Sequence, residues 1–250
     1  MLEIRDLHGV DYRGVEILKG LNLNVRRGEI LGIAGIDGNG QTELAEIITG
    51  LRKATKGEVL VGGFDVCNRS PRVGFEHGVS SIPADRHKHG LVLEFSVAEN
   101  MILQNYAEPE FSRHGILNKE NILKYASDAV EKYDIRPRGC ALRLAGTLSG
   151  GNQQKVIIAR EVNNNKDLLI AFNPTRGLDV GAIEYVHKYL VEQRNKGKAV
   201  LLISFELDEI ISLSDRIDTI FDGEIVGSMA GKDADENALG LMMAGGKRNG

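Results

Sequence analysis

A run of glycines between an apolar segment and a helical pattern constrains this chain more than any other feature. In LGIAGIDGNGQTELAEIITG, residues 31–50, the apolar segment leads into Gly35, Gly38 and Gly40. The apolar residues that follow recur at helical spacing. Strand, glycine loop and helix in this order form a cradle for phosphate, because backbone N–H groups and the positive end of the helix dipole point at one place. The alternative is a plain tight turn, which requires all these features to coincide without a ligand.

The cradle lacks the cation that usually accompanies it. The phosphate-loop pattern G-x-x-x-x-G-K-[ST] ends in Lys and a hydroxyl residue, whereas this chain has Gln41 and Thr42 there. Thr42 still offers a hydroxyl to phosphate or Mg²⁺, but Gln41 brings no full positive charge to the phosphates. The glycine spacing is also not the dinucleotide pattern G-x-G-x-x-G. We therefore predict a phosphate site of reduced charge.

A second helix start carries the same kind of signal. In LSGGNQQKVIIAREV, residues 148–162, Gly150 and Gly151 open a segment of helical periodicity. Ser149 takes the N-cap position, where we expect its oxygen to accept a hydrogen bond from a free N–H group. S-G-G is common in loops, but its place about 20 residues before LLIAFNPTRGLDVGA is specific.

Strand and helix patterns alternate along most of the chain. Apolar strands alternating with amphipathic helices predict an α/β core whose sheet is covered on both faces. We predict strands at 2–7, 18–25, 57–63, 168–172 and 199–205, a helical insertion at about 79–145, a helix at about 182–195, and a C-terminal hairpin turning at Asp222 and Gly223.

Composition narrows the possible partners. The formal net charge is −4, so nucleic acid is not expected as a partner, because phosphate backbones require clustered Lys and Arg. No segment approaches the about 18 apolar residues of a membrane span, and the start MLEIRDLHG is charged, so we expect a soluble cytoplasmic chain.

Cys67 and Cys140 are expected to be free thiols. His87 and His89 are expected to be solvated loop residues rather than metal ligands.

Three motifs together resemble a known family. GIDGNGQTE, LSGGNQQK and PTRGLDVGAIE follow one another as in the nucleotide-binding domains of ATP-binding cassette (ABC) transporters, and the resemblance runs essentially end to end. PTRGLDVGA and the Gln of the glycine loop look like the second cassette of tandem-cassette importers for simple sugars and nucleosides. HGLVLEFSVAEN and VLLISFELDEI look most like the nucleoside branch, which a basic membrane lipoprotein serves as binding protein. By this resemblance the chain would be half of a longer polypeptide, with Met1 a chosen start point.

The resemblance implies a fold and a division of the chain. It implies an α/β P-loop NTPase (RecA-like) core with an antiparallel β subdomain and an inserted α-helical subdomain. The core and β subdomain would take 1–82 and 146–230, the helical subdomain 83–145, and a C-terminal tail 231–250, with GGKRNG at its end frayed.

The resemblance also implies that the chain's own nucleotide site is degenerate. Active cassettes carry Asp-Glu at the end of the strand before Pro-Thr, for Mg²⁺ and the attacking water, and a His after the next strand. These positions hold Phe172, Asn173 and Phe205 here, and the segment that usually reads P-E-D-R is Pro83 to Arg86. The residues implied to contact ATP or ADP are Tyr12, Gly35, Asp37, Gly38, Asn39, Gly40, Gln41, Thr42 and Glu43. Tyr12 would stack on adenine, although a tyrosine packed in the β subdomain explains it equally well. Thr42 would be the one ligand left for a weak Mg²⁺.

The signature motif, in contrast, is intact. In the family, two cassettes dock head to tail, so the signature of one completes the ATP site of the other. The residues implied to face the partner's ATP are Leu148, Ser149, Gly150, Gly151, Asn152 and Gln153. Asp179 fits the segment that contacts the other cassette.

The implied partners are an active cassette, a membrane permease that contacts the helical subdomain, and indirectly an extracytoplasmic binding lipoprotein. The chain would then lie at the inner face of the cell membrane, and the isolated domain would hydrolyse ATP weakly or not at all.

Two other classes of function remain open from the sequence. One is an interaction module that binds no nucleotide, which Gln41, Phe172 and Phe205 also fit. The other is a soluble cassette ATPase of DNA repair or translation, against which the acidic balance and the PTRGLDVGA variant argue. Nucleotide titration separates the first from an importer cassette, and co-purification with a permease separates the second.

Overall fold

The structure, a computed structural model, describes residues 1–246, which form two contact-dense units. The first unit comprises Met1–Ser81, Lys166–Pro174 and the described residues from His187 onward. The second comprises Ile82–Asn165 and Thr175–Val186. The sequence-based division assigns all of 146–230 to the core, whereas residues 146–165 group here with the helical region.

The strands predicted at 2–7, 18–25, 57–63, 168–172 and 199–205 and the helix predicted at about 182–195 are present, together with shorter elements that the sequence patterns did not indicate. The strands are β1 Leu2–Val10, β2 Glu16–Val25, β3 Ile30–Ala34, β4 Lys56–Val61, β5 Phe64–Asp65, β6 Val79–Ile82, β7 Ser112–Arg113, β8 Ile116–Leu117, β9 Leu168–Phe172, β10 Ala199–Ile203, β11 Arg216–Phe221 and β12 Glu224–Ala230. The α-helices are α1 Gln41–Ile48, α2 Pro71–Glu76, α3 Val97–Met101, α4 Lys119–Lys132, α5 Gly150–Asn163, α6 Val180–Asn195, α7 Leu207–Leu213 and α8 Glu236–Met243.

The first unit contains an antiparallel sheet with strand order β2-β1-β4-β5. Leu2 pairs with Val25 on one side and with Val61 on the other. All three side chains are buried, because residues directly opposite each other on neighbouring strands point to the same face of the sheet. The predicted antiparallel β subdomain is therefore confirmed, with β1 and β2 both longer than the sequence pattern indicates.

The same unit contains a mixed sheet with strand order β12-β11-β3-β10-β9-β6. β10 runs parallel to β3 and β9, and β11 runs parallel to β3. Every residue of β3 and β10 is buried, as expected for parallel strands covered on both faces. Because parallel strands end at a common edge, the glycine loop after β3 and the residues after β9 and β10 gather there. The predicted α/β core is confirmed.

The predicted C-terminal hairpin is also present. β11 and β12 pair antiparallel, and Phe221 faces Glu224 across the turn. Asp222 and Gly223 both have positive φ, as a two-residue hairpin turn requires. Of the C-terminal end predicted to fray, residues 247–250 lie outside the described residues.

The second unit is mainly helical, with one correction at its start. The helical pattern is predicted from about residue 79, but residues 79–82 form β6, the outermost strand next to β9. Four residues are too few to show helical or strand periodicity clearly. A short π-helical turn, Arg86–Gly90, follows β6 and is capped by Asp85. α3 then begins with a capping box in which Ser96 and Glu99 satisfy each other's backbone N–H groups, and this fixes where α3 starts.

Within residues 1–246, every helix is too short or too polar to span a bilayer. Cys67 and Cys140 are both free, and burial raises the pKa of each thiol.

Candidate functional site

The glycine loop takes the backbone geometry of a phosphate cradle. It connects the buried β3 to α1, and its Gly38 and Gly40 have φ values of 92° and 108°, which only glycine adopts without strain. No side chain caps the N-terminus of α1. The free N–H groups of its first turn and the positive end of its dipole are therefore available to an anion.

The Gln41 side chain is buried against the backbone of the glycine loop. Its side chain is 1% exposed, and its Nε2 donates a hydrogen bond to the Ile36 carbonyl at 3.1 Å. A Cβ on Gly35 would lie 2.6 Å from the same Nε2, so glycine at 35 makes room for this amide. The Oε1 of Gln41 is buried and has no hydrogen-bond partner. The loop is thus closed by a neutral amide where a lysine would bring charge.

Both polar atoms of the Asn39 side chain form hydrogen bonds within the protein. Its Nδ2 donates to the Ile36 carbonyl at 2.9 Å, and its Oδ1 accepts from the backbone N–H of Asp222 at 2.7 Å. The loop is therefore tied to the hairpin turn between β11 and β12. Of the other predicted nucleotide contacts, Asp37 is exposed, and Thr42 and Glu43 are half-buried on the first turn of α1.

Tyr12 projects into solvent from the loop between β1 and β2. Its side chain is 87% exposed, and the Arg13 guanidinium carbon lies 5.5 Å from its ring centroid. The alternative of a tyrosine packed inside the β subdomain is therefore wrong. An exposed ring is free to stack on a planar group such as a base.

Apolar side chains lie at the strand ends where the resemblance implies a metal ligand and a base. The rings of Phe172 and Phe205 pack edge to face with centroids 6.1 Å apart. Phe172 is the last residue of the buried strand β9 and is itself half-buried. It lies half-buried because the strand ends at the sheet edge, and Phe205 covers part of its ring.

Asn173 joins the ends of β9 and β10. Its backbone N–H donates to the Ile203 carbonyl at 2.7 Å, and its Oδ1 accepts from the Phe205 N–H at 3.0 Å. Because only the oxygen of the amide accepts, its Nδ2 must point the other way. This Nδ2 is buried and has no partner, and the residue has φ of 43°. Asn173 therefore holds two loops together and offers no group that accepts a proton from water.

The strand ends do not fit a magnesium ion. Mg²⁺ prefers carboxylate and other oxygen ligands, whereas the side chains here are Phe172, Asn173 and Phe205. Among residues 1–246, no group of three or more His, Cys, Asp or Glu side chains is placed to hold a metal. The Thr42 hydroxyl is the one ligand that the sequence predicted, and within the described part of the chain no metal-binding cluster is added to it.

The signature loop holds a serine hydroxyl in a defined orientation. Ser149 is the N-cap residue of α5 and is exposed, but its side chain accepts no hydrogen bond from a backbone N–H of the helix within residues 1–246, so the predicted capping bond is wrong. Instead its Oγ accepts from Asn152 Nδ2 at 2.9 Å, while Asn152 Oδ1 accepts from the Arg136 N–H at 2.6 Å. Because Oγ acts as the acceptor in this bond, the Ser149 hydroxyl can still donate its proton to another group.

Gln153 is turned inward from the same loop. It is 5% exposed; its Oε1 lies 2.9 Å from His87 Nε2, and its Nε2 donates to the Ala145 carbonyl at 3.2 Å. Both ends of the amide are engaged, so His87 must carry its proton on Nε2. Gln153 therefore supports the signature loop from behind, while Leu148 is buried and Gly150 and Gly151 are half-buried.

Asp179 directly precedes α6 and is exposed. Its Oδ1 accepts a hydrogen bond from the Ala182 N–H at 2.9 Å, the geometry of an N-cap. Its predicted contact with another cassette stays a prediction.

One residue at the signature loop escaped sequence reasoning. Arg86 appears in the sequence only as the last letter of PADR, yet its guanidinium lies directly against Gly150. No spacing rule connects two residues so far apart in sequence, because the chain that joins them folds through α3 and α4. The available signal was the run of basic residues that begins at Arg86 and includes Lys88, which forms a short π-helical turn, Arg86–Gly90.

An uncapped glycine loop between a parallel strand and a helix, with a second glycine-led helix start elsewhere, defines a P-loop nucleotide-binding domain with a signature motif. The chain belongs to the ABC transporter family, whose model matches residues 18–176. It is similar to the guanosine import ATP-binding protein NupO of Bacillus subtilis, with 53% identity over 96% of this chain and 48% of that protein. It is also similar to the nucleoside import ATP-binding protein NupA of Lactococcus lactis subsp. cremoris, with 52% identity over 100% of this chain and 49% of that protein. The chain spans about half the length of these curated relatives.

Solved structures show the same fold. A nucleotide-free ATP-binding cassette from an ABC transporter superposes with a TM-score of 0.78 over 97% of this chain and 94% of that chain, at 22% identity. At this identity the likeness shows the fold alone. The predicted P-loop NTPase architecture is confirmed.

Proposed function

We propose that this chain is the second, degenerate cassette of an importer for nucleosides or simple sugars, and that it lends its signature loop to the ATP site of an active partner cassette. Its other partners would be a membrane permease and, indirectly, an extracytoplasmic binding lipoprotein. The domain would lie at the inner face of the cell membrane through the permease. The assembled transporter would hydrolyse ATP, and this domain alone would do so weakly or not at all.

The observation that carries the proposal is the contrast between the strand ends and the signature loop. At the strand ends, Phe172, Asn173 and Phe205 occupy the positions of metal ligand, base and switch histidine, and they are linked to one another. A positioned general base is worth roughly 10²–10⁴ in rate. Preorganised charge near the phosphates supplies a further large factor, and Gln41 does not supply it. The chain's own site is therefore expected to turn over poorly.

The signature loop has the features of a working anion contact. Ser149 is exposed, and because its oxygen accepts from Asn152, its proton is available to a phosphate oxygen. α5 is 14 residues long and directs its positive dipole end at the same position. These features support a role for Ser149, Gly150 and Gly151 at the partner's ATP, with Gln153 positioning the loop.

The glycine loop is expected to hold ATP or ADP without hydrolysing it. The uncapped N-terminus of α1 and the exposed ring of Tyr12 support nucleotide binding. Mg²⁺ would be bound weakly, since Thr42 is its one candidate ligand. The bond from Gln41 to the Ile36 carbonyl favours the second candidate, an interaction module without nucleotide, because the bond closes the loop internally.

The substrate class is proposed from similarity. Both relatives named above are import ATP-binding proteins for guanosine or nucleosides, and each is about twice as long as this chain. This supports a tandem arrangement in which the chain is one of two cassettes.

Uptake of radiolabelled nucleosides and sugars tests this proposal. Cells that lack the gene for this chain should lose uptake of one of these solutes and regain it on complementation, and the chain should co-purify with a permease. Uptake that is unchanged for both classes of solute, together with no permease in the purified complex, would overturn the proposal.

A further inference from the structure

Arg86 places a guanidinium group against the first residue of the signature helix. A Cβ on Gly150 would lie 3.0 Å from Arg86 Nη2, and a Cβ on Gly177 would lie 3.9 Å from the same atom. The Nη1 of Arg86 donates to the Arg176 carbonyl at 3.0 Å. The guanidinium thus fills the space that two glycines leave open, and this gives Gly150 a reason for lacking a side chain.

This charge has no counter-ion among residues 1–246. Within the described residues its side chain donates one hydrogen bond, to a neutral carbonyl, and its Nε is buried without a partner. The adjacent Asp85 is turned to its own loop, where backbone N–H groups of Lys88 and His87 hold the pKa of that carboxyl below its usual value. Asp179 caps α6, and its Oδ2 would lie 3.8 Å from a Cβ on Gly151 without pairing with the guanidinium.

The position of the charge is electrostatically unfavourable as it stands. The N-terminus of a helix carries about half a positive elementary charge, and an arginine placed there is repelled. Natural helices put Asp, Glu or bound anions at this end. A cation that stays beside a positive helix end, with its Nε desolvated, indicates that an anion compensates both charges in the working protein.

We propose that the Arg86 guanidinium contacts the terminal phosphate of the ATP held by the partner cassette. The inference rests on the proposed function, in which that phosphate meets the signature loop. Ser149 supplies a neutral O–H donor, α5 supplies backbone N–H groups, and Arg86 supplies the full positive charge. The same chain that lacks a cation in its own glycine loop thereby provides one to its partner's site.

The test uses the assembled importer carrying Arg86→Gln, Arg86→Lys or Ser149→Ala. Losing one charge-assisted hydrogen bond should raise the half-saturating ATP concentration about tenfold in Arg86→Gln. Affinity for ADP, which has no terminal phosphate at this place, should not change. Arg86→Lys should recover most of the loss, because it keeps the charge. Arg69→Gln is the matched control, since Arg69 is exposed in the first unit.

The outcomes separate this inference from the proposed function. If Ser149→Ala lowers ATP turnover but Arg86→Gln behaves like Arg69→Gln, the role of Arg86 is overturned and the proposed function stands. If Ser149→Ala has no effect, the proposed function fails first. Equal weakening of ATP and ADP by Arg86→Gln, or no recovery in Arg86→Lys, would show that Arg86 only positions the turn at Arg176. Thermal unfolding of each variant identifies loss of the fold.

Discussion

The glycine loop and the signature loop use the same backbone device with different side chains. Each places glycines at the start of a helix whose first N–H groups lack a side-chain cap. Around the glycine loop, however, the polar side chains of Asn39, Gln41 and Asn173 bond to the protein itself. At the signature loop, Ser149 faces outward with a proton to donate. The two loops therefore share a backbone arrangement at the helix start and differ in the chemistry of their side chains.

The difference also bears on how a site of this composition stays stable without a metal ion. A lone carboxylate or ammonium in a buried site without its ligand is costly. Phe172 and Phe205 avoid that cost by packing on each other, and Gln41 avoids it with a neutral amide. The side chains at the strand ends are thus stable without metal, whereas Arg86 beside the signature loop forms no ion pair with any residue of 1–246.

The largest expected effect comes from removing one hydroxyl group from one loop or the other. In the assembled importer, Ser149→Ala should reduce ATP-driven uptake by about 10- to 100-fold, because a donor to the transferred phosphate is lost. Thr42→Ala should reduce it less than about twofold, because the site around Thr42 lacks metal and base. Uptake rates of both variants at matched expression give the comparison. Equal losses of uptake in the two variants would contradict the proposed difference between the signature loop and the glycine loop.

The next effect concerns stability at the strand ends. Asn173→Ala should lower the free energy of unfolding by about 2 kcal/mol, through loss of the bond to the Phe205 N–H and left-handed strain at an alanine. Asn173→Gly removes the same bond but tolerates the φ of 43°, so it should cost about 1 kcal/mol. Urea unfolding measures both. A normal fold with abolished ATP turnover in Asn173→Ala would instead make Asn173 a catalytic residue.

A smaller effect is expected from restoring the cation of the glycine loop. Gln41→Lys should raise the affinity of the chain for ATP about tenfold, since an ammonium group adds a charge-assisted bond to phosphate. Gln41→Met, which has similar length and no charge, should give no gain. Calorimetric titration gives the affinities. Phosphate release should stay at background in both, and brisk release from Gln41→Lys would mean that Phe172 and Asn173 do not block hydrolysis.

The smallest effect is a pH response confined to the β subdomain. His8 Nδ1 lies 2.8 Å from Glu16 Oε1, and this contact, with a weaker one to Asp6, raises the pKa of His8. The stabilisation is fully present below the unfolded value of about 6.5 and is lost as pH rises through the higher folded value. Unfolding of the wild type and of His8→Gln should therefore differ at pH 6 and converge near pH 9. A difference that grows with pH would contradict this sign.

Periodicity predicted the parts of the fold where the pattern is long. The continuous apolar runs of β9 and β10 and the Asp222–Gly223 turn are where the sequence indicates, because burial and positive φ restrict composition strongly there. β6 was missed because four residues carry little pattern. The motifs located both loops, but they could not show that Gln153 turns inward or that Ser149 bonds to Asn152. Those depend on neighbours such as His87 and Arg136, which only the tertiary fold brings close.

Calorimetric titration of this chain with ATP and Mg²⁺, run alongside its phosphate-release rate, tests the central claim most directly. The account predicts saturable binding with release at background, because the glycine loop keeps its geometry while Phe172 and Asn173 supply neither metal ligand nor base. Brisk phosphate release by the isolated chain would contradict it. Absence of binding at millimolar ATP would also contradict a static nucleotide site, and would leave the signature loop as the only part of the chain that meets ATP.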